Sequence, residues 1–373
     1  MDREKLNILF LVLEMDLGGL QRMVNLLIRK INTDLFVPYL CCLDRGGMFY
    51  ESAATHSGAS FILERRPGPF DRRLLQKLVS VLKDNGIDII HSHNGCSSYA
   101  ALAGRLAKVK GIIHTDHGRL LPEKRTAIIE DRFSSYMMKW FVGVSEQLTE
   151  YLAKVVKISR KKLITIINGL DTDTFKPVSE DKRLHIRAQL GLSAGDKVIG
   201  TVCRLDPIKN LEFMVSCMRN IVRNVPDAKL VIVGDGLVRE SLISQSQTLG
   251  LGSKILFPGR REGIETILPA FDVYACSSIS EGTSMTILEA MSCGLPVVAS
   301  SVGGNPKLVD SSNGVLFPVN DAAIFTEGIA SLLREPALRA EKGKRGRERV
   351  EQDFSVDKMV SMYEALYNSL NFC

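Results

Sequence analysis

The residues best suited to do chemistry lie in SSISEGTSMTILEAMSCGLPVVAS, where Glu281 and Glu289 are separated by seven residues. Between them, Gly282, Thr283, Ser284, Met285, Thr286 and Ile287 read as a loop entering a helix. The first amides of a helix have no partner within it and sit at the positive end of its dipole, so they suit a phosphate. A carboxylate accepts well from vicinal hydroxyls, so one glutamate can hold a hexose and the other a ribose. The plainer reading makes Glu281 a helix-start acid and Glu289 a solvated helix residue. It leaves unexplained why Gly282, Gly294 and Pro296 bracket the pair so tightly.

A second pair sits in TVCRLDPIKNLEFMV, which reads as a strand, a tight turn at Pro207 and a helix. Arg204 and Lys209 are five residues apart across that turn and can aim a guanidinium and an ammonium at one diphosphate. Two fixed cations can neutralise a departing phosphate as a divalent metal would. The alternative is a pair of exposed basic residues. In MDLGGLQRMVNLL, Gly18 and Gly19 precede an amphipathic helix and would let backbone amides approach a phosphate, although such a pair is often only a turn. No G-x-G-x-x-G follows the first strand, which argues against a dinucleotide dehydrogenase.

Four of the six histidines fall in HSHNG (His91, His93) and HTDHGRL (His114, His117), at the ends of candidate strands. Sugar and acceptor recognition is the functional reading, and for His91 and His114 satisfied strand-end histidines are the structural one. No acidic pair beside them has zinc or magnesium spacing. Asp171 and Asp173 in GLDTDTF imitate an Asp-x-Asp metal site, but they fall after the last strand of the first half and are discounted.

These residues need strands to carry them. Short apolar, β-branched runs alternate with helical patterns through both halves, as in parallel sheets with crossover helices. Strands are expected at Asn7–Leu13, Val37–Leu43, Asp88–His91, Gly111–Thr115, Trp140–Val144 and Leu163–Ile166. The pattern restarts at Lys197–Val202, then Lys229–Val233, Ile255–Phe257, Val273–Ala275 and Pro296–Ser300. Helices are expected at Gly19–Lys30, Arg72–Asn85 and Cys96–Ala107. The turn-rich, charged stretch NGLDTDTFKPVSEDKR places a linker near Phe175–Glu180. The fold class expected is α/β, with two Rossmann-like lobes of parallel sheet facing across a cleft. The domains are residues 1–178 and 179–356. Ligands of such sheets bind beyond the carboxyl ends of the strands, where these motifs fall.

At 373 residues the chain exceeds what one core usually supports. Apolar residues at 45% and charged residues at 24% are ordinary for a soluble globular protein, so disorder is not the default. No apolar run approaches the roughly 18 to 20 residues that span a bilayer, and MDREKLNILFLVLEMD lacks a secretory pattern, so a cytoplasmic location is expected. None of the eight cysteines forms a C-x-x-C pair, and Cys41, Cys203, Cys276 and Cys293 in apolar stretches read as buried thiols. Residues 1–180 hold 26 basic against 20 acidic side chains, and the rest of the chain 22 against 22, so the excess of six lies in the first half. Clusters at Arg65, Arg66, Arg72, Arg73 and Lys77, and at Lys157, Arg160, Lys161 and Lys162, either attract anionic lipid headgroups and acidic acceptors or form a solvated face. Nucleic acid is disfavoured in a chain that is 6% aromatic, with no stacking or zinc-finger signature.

With these residues in place, the segments GGLQ, HTDHG, VSE, INGLDTDTF, CRLDPIKN, VIVGDGLVRE, FPGRR, EGTSMTILEAMSCGLPVVAS, VGGNP and GVLF resemble the retaining glycosyltransferases of the GT-B fold, family 4 (glycosyl transferases group 1). They run in family order over nearly the whole chain. The resemblance implies a metal-independent transfer of a hexose-type sugar from a nucleotide-sugar donor, UDP by family frequency, to an acceptor. A lipid-linked glycan in cell-surface polysaccharide synthesis is one such acceptor, with docking of the basic half at the inner face of the cell membrane. No cofactor is implied. By position, Glu281 with the amides of Gly282 to Met285 resembles the donor-sugar contact, and Glu289 the ribose clamp. Arg204 and Lys209 resemble the pyrophosphate pair, Gly18 and Gly19 the first-lobe phosphate loop, and Thr286 and Ile287 the helix-start phosphate contacts. His117 resembles the histidine at the reaction centre, and Gly259 with Arg260 would face the base. The closing helix, 357–373, is expected to pack back on the first lobe. Cys203 stands where many relatives carry Gly, and Lys307 where many carry Glu. A sugar-nucleotide 2-epimerase of the same fold and a non-catalytic nucleotide-sugar-binding subunit are the alternatives.

Overall fold

Thirteen strands in two sheets form the framework of the computed structural model, which describes residues 5–16, 18–68, 70–118 and 125–370. The first seven are β1 (Leu6–Glu14), β2 (Phe36–Arg45), β3 (Ser60–Ile62), β4 (Ile89–His93), β5 (Gly111–Asp116), β6 (Trp140–Gly143) and β7 (Leu163–Thr165). They pair in parallel in the order β3-β2-β1-β4-β5-β6-β7. The other six are β8 (Lys197–Val202), β9 (Ala228–Val233), β10 (Ile255–Gly259), β11 (Val273–Cys276), β12 (Val297–Ser300) and β13 (Gly314–Phe317). Their order is β10-β9-β8-β11-β12-β13, again all parallel.

The apolar runs are continuous because both faces of each sheet are covered. Along β1, Ile8, Phe10 and Val12 pack with the helices Gly19–Lys30 and Val356–Leu370, whereas Leu9 and Leu11 pack with the helices Arg72–Asp84 and Ser97–Ala107. Each such fully buried side chain is worth about 1.5–3 kcal/mol relative to exposure. Local signals set the helix starts. Asp71 accepts from the Leu74 amide at 3.1 Å, Ser145 from Leu148 at 3.1 Å and Asp321 from Ile324 at 3.0 Å.

The chain divides into two units. One comprises residues 1–169 with 356–373, and the other Leu170–Ser355. The segment after Leu170 is held by the second unit. Phe175 is buried, and its carbonyl accepts from Ser292 Oγ at 2.6 Å and from Arg347 at 3.3 Å. The helix Val356–Leu370 returns to the first unit, where the Tyr367 hydroxyl meets His91 Nδ1 at 2.7 Å and Tyr363 meets Thr115 at 3.1 Å. A Cβ on Gly111 would come within 2.6 Å of Leu370, so this packing leaves no room for a side chain there. Residues 371–373 of the expected closing helix lie outside the described residues.

Candidate active site

In the second unit the carboxyl ends of β8, β11 and β12 are tied into one corner. After β8 the chain passes through Cys203 and Arg204 to a short 3-10 turn, Pro207–Lys209. Asn210, at φ +53°, then redirects it into the helix Leu211–Asn224. Ser277, just past β11, donates to the carbonyls of Lys209 and Asn210 at 2.9 and 3.0 Å, and the Ile279 amide donates to Ile208 at 2.9 Å. Ser300, ending β12, donates to the Ser278 carbonyl at 2.6 Å.

Within that corner Lys209 Nζ lies 2.7 Å from Glu281 Oε1, and Ser278 Oγ donates to the same oxygen at 2.7 Å. Both charged side chains are mostly buried, in a small pocket lined also by Thr201, Tyr274, Cys276 and Thr286. Burial works against the Lys209 ammonium, but the Glu281 carboxylate outweighs it and holds the lysine above its ordinary pKa. Cys203 lines the same pocket, and burial pushes its thiol up to about 12, so it stays protonated.

Arg204 points outward with its side chain 77% exposed, its Nε held by Asp206. Its loop is braced by Gly234 and Gly236, whose backbones close on Cys203 and Leu205. A Cβ on Gly234 would stand 1.9 Å from the Cys203 carbonyl oxygen, and its φ of +141° favours glycine as well.

The helix Met285–Ser292 starts at Ser284, which makes no side-chain cap bond. The amides of Met285, Thr286 and Ile287 therefore form the open first turn. Ile287 is fully buried, so only its backbone can serve a ligand, whereas Gly282 and Thr283 lie nearer solvent. The Gly282 carbonyl accepts from the Gly304 amide at 2.9 Å, and a Cβ on Gly304 would stand 2.4 Å from that oxygen. Glu289, in the second turn, is 8% exposed. It is not the solvated helix residue of the plainer reading. Gly259 ends β10 at φ +77°, accepts from the Gly234 amide at 3.0 Å, and is followed by the exposed Arg260.

The first unit holds its own polar cluster. His91 is fully buried, with Nδ1 on Tyr367 and Nε2 on Thr115 Oγ1 at 2.8 Å. On the other face of the sheet, His114 Nδ1 meets Ser92 Oγ at 2.9 Å. These two histidines are structural in their contacts. His93 and His117 differ. His93 Nδ1 faces His117 Nε2 at 2.9 Å, while His93 Nε2 and His117 Nδ1 are buried with no protein partner. Asn94 fixes the His117 backbone, accepting from its amide at 2.8 Å. Burial, with His114 second, pushes His117 down to about 3, and burial likewise holds His91 and His93 well below the ordinary histidine range. All three imidazoles are neutral near pH 7.

Gly18 and Gly19 are exposed at the start of the helix Gly19–Lys30, and a Cβ on Gly19 would meet nothing. The tight approach at this end of β1 is made instead by Gly47, at φ +113°, whose Cβ would come within 2.5 Å of the Asp16 amide. Asp171 is a turn residue, accepting from the Asp173 and Thr174 amides at 3.1 and 3.3 Å. The sequence reading missed Ser277, Ser278 and Gly304 as site-building residues, and it named His93 without pairing it with His117. The glycines of VIVGDG and VGGNP were its only visible signal for the braces.

Residues 182–349 match the family described as Glycosyl transferases group 1, and residues 17–174 the one described as Glycosyltransferase Family 4. The chain is 30% identical over 308 residues to the UDP-Gal:alpha-D-GlcNAc-diphosphoundecaprenol alpha-1,3-galactosyltransferase of Escherichia coli, covering 80% of this chain and 79% of that one. It is 26% identical over 306 residues to the N-acetyl-alpha-D-glucosaminyl L-malate synthase of Bacillus anthracis, with 80% and 79% covered. Among solved structures, Anabaena HepE in complex with UDP matches with a TM-score of 0.83 at 23% identity, over 98% of this chain and 100% of that one.

Proposed function

This chain belongs to the group 1 glycosyltransferases of the GT-B fold, and on that premise we propose a metal-independent, retaining hexosyltransferase that uses a UDP-sugar and a lipid-linked glycan acceptor. The observation that carries the reading is the Lys209–Glu281 pair in the corner of β8, β11 and β12, with Arg204 exposed beside it.

In this reading Arg204 and Lys209 take the donor diphosphate, aided by the amides of Met285, Thr286 and Ile287. Glu281 accepts from hydroxyls of the donor sugar and Glu289 from the ribose, while Gly259 and Arg260 face the base. The acceptor oxygen bonds to the anomeric carbon as the bond from that carbon to the phosphate oxygen breaks, on the same face of the sugar. The acceptor's proton passes to the departing diphosphate, and no protein nucleophile is needed. The cations stabilise the growing phosphate charge, and such preorganised electrostatics are typically worth 10²–10³ per group. His117 is assigned the part of a neutral hydrogen-bond partner for a donor hydroxyl: its buried Nδ1 has no protein partner, and burial pushes its pKa down to about 3.

UDP is favoured because the E. coli relative's name specifies UDP-Gal and the HepE structure contains UDP. The lipid-linked acceptor is favoured by the diphosphoundecaprenol substrate named for that same relative. The test is to incubate the protein with UDP-galactose, UDP-glucose or UDP-N-acetylglucosamine in EDTA, with and without undecaprenyl-diphosphate-linked N-acetylglucosamine. Acceptor-dependent UDP release with an α-linked product supports the reading. Epimerised UDP-sugar, or release only with added divalent metal, overturns it.

A further inference from the structure

The donor corner lies at the carboxyl ends of β8, β11 and β12, and the opposite edge of the same sheet carries a second recess. Asp272 stands immediately before β11, and Pro296 immediately before β12. With Pro177, Phe271, Arg183 and Arg339 they line a cavity of about 220 Å³ at the amino ends of those strands. That is room for a small molecule rather than for a single water.

Three guanidiniums converge there on one carboxylate. Asp272 is buried, and its Oδ1 accepts from Arg183 at 2.6 Å, while its Oδ2 accepts from Arg187 at 2.9 Å and from the Val198 amide at 2.7 Å. Arg187 is structural, since its other bonds go to the carbonyls of Ala270, Ala194 and Asp196. Arg339 comes last. Its Nη2 stands 3.7 Å from Asp272, and its Nη1 lies 3.4 and 3.5 Å from the Leu332 and Leu333 carbonyls, so the guanidinium is loosely held. Arg183 reaches Glu180 only at 3.4 Å, and that side chain is 66% exposed, so water screens the pair. The helix Pro336–Asp353 begins beside the recess with no acidic residue in its first turn, and Glu335 before it is exposed and makes no cap bond. The positive end of that helix adds to the same sign. One buried carboxylate thus faces three arginines behind a wall of proline and phenylalanine, an excess that a second anion would balance.

We propose that this recess is a second anion site, separate from the donor corner, that binds the phosphate group of a small phosphate ester. Arg339 supplies a fork of N–H donors, and Arg183 adds those that Asp272 does not use, a geometry that suits two oxygens of one phosphate. The carbons of the ester lie on Pro177 and Phe271. An occupied site also ties Pro177, in the segment that follows Leu170, to the amino edge of the sheet.

The experiment is calorimetric titration of inorganic phosphate, and separately of glycerol 3-phosphate, into the full chain with excess UDP at constant ionic strength. The UDP keeps phosphate from the donor corner. Saturable binding of both probes is expected, with a dissociation constant of about 1 mM or below. Arg339→Gln should weaken it tenfold or more. Asp272 keeps Arg183 and Arg187 in that variant, so its thermal melting should match the wild type. Ala340→Glu, at an exposed helix position lining the same recess, sets a carboxylate at the mouth and should abolish binding. Arg204→Ala should leave phosphate binding intact, and UDP binding by Arg339→Gln should equal that of the wild type. No saturable binding of phosphate, or wild-type binding by both Arg339→Gln and Ala340→Glu, overturns the site. Loss of phosphate binding in Arg204→Ala with its retention in Arg339→Gln would place the anion in the donor corner and overturn it as well.

Discussion

Lys209 Nζ and Glu281 Oε1 stand 2.7 Å apart, with both side chains mostly withdrawn from water. Each is the other's charge partner before any ligand arrives, and Ser278 holds the carboxylate in register. Removing one leaves the other uncompensated. Lys209→Met should lower kcat/KM by about 10²–10³ and destabilise the fold by on the order of 1–3 kcal/mol. Adding Glu281→Gln should recover part of that stability and none of the activity. A double-mutant cycle in urea, run beside a transfer assay, measures both. Strict additivity of the two stability losses would contradict the pairing.

The same pair sets a pH window. Lys209 is held above its ordinary value of 10.5, so the folded protein binds this proton more tightly than the unfolded chain does. The stability it contributes is fully present below the unfolded value and is lost as pH rises through the higher folded one. Urea unfolding should show no Lys209-dependent change between pH 7 and 9. Above about pH 10.5 a decline should appear that is absent from Lys209→Met.

The histidines act on the acid side. His117 is pushed down to about 3, and His91 and His93 also lie low, so on acidification the unfolded chain takes up protons that the folded one refuses. Stability should fall as pH drops from about 6.5 towards 3. The double variant His93→Gln, His117→Gln should flatten that slope. For the same reason the rate of transfer should show no inflection from His117 between pH 6 and 8. Such an inflection, if abolished by His117→Gln, would show that the imidazole titrates in the working range.

Gly304→Ala tests the loop that carries Gly282. A methyl 2.4 Å from the Gly282 carbonyl oxygen must displace the loop or break its bond to the Gly304 amide. The expected result is a rise in donor KM of about tenfold or more, with a loss of stability of about 1–3 kcal/mol. Donor saturation kinetics would check it, and an unchanged KM would show that the loop does not position the donor.

Much of this was legible because strands buried on both faces leave unbroken apolar runs. β8 falls where the sequence places it, Lys197–Val202, and β1 extends Asn7–Leu13 by one residue at each end. The short strands β3 and β13, each at the edge of its sheet, escaped, whereas the equally short β7 was read from its apolar, β-branched run. The linker region reads as turn-rich, yet Phe175 is anchored by Ser292 and Arg347, contacts more than a hundred residues away with no local signature. Within the site, residue types pointed to Arg204, Lys209, Glu281 and Glu289. The pairing of Lys209 with Glu281 did not show, because it depends on how Ser277 and Ser300 tie three strand ends together. The split of the histidines into bonded His91 and His114 and open His93 and His117 depends likewise on strand register and on the closing helix.

Calorimetric titration of UDP into the protein in EDTA bears most directly on the donor site, run alongside Arg204→Ala and Lys209→Met. Binding by the wild type without metal, weakened tenfold or more in each variant, is the predicted result. Binding that appears only on adding a divalent cation, or that both variants retain at full strength, would contradict a diphosphate held by Arg204 and Lys209.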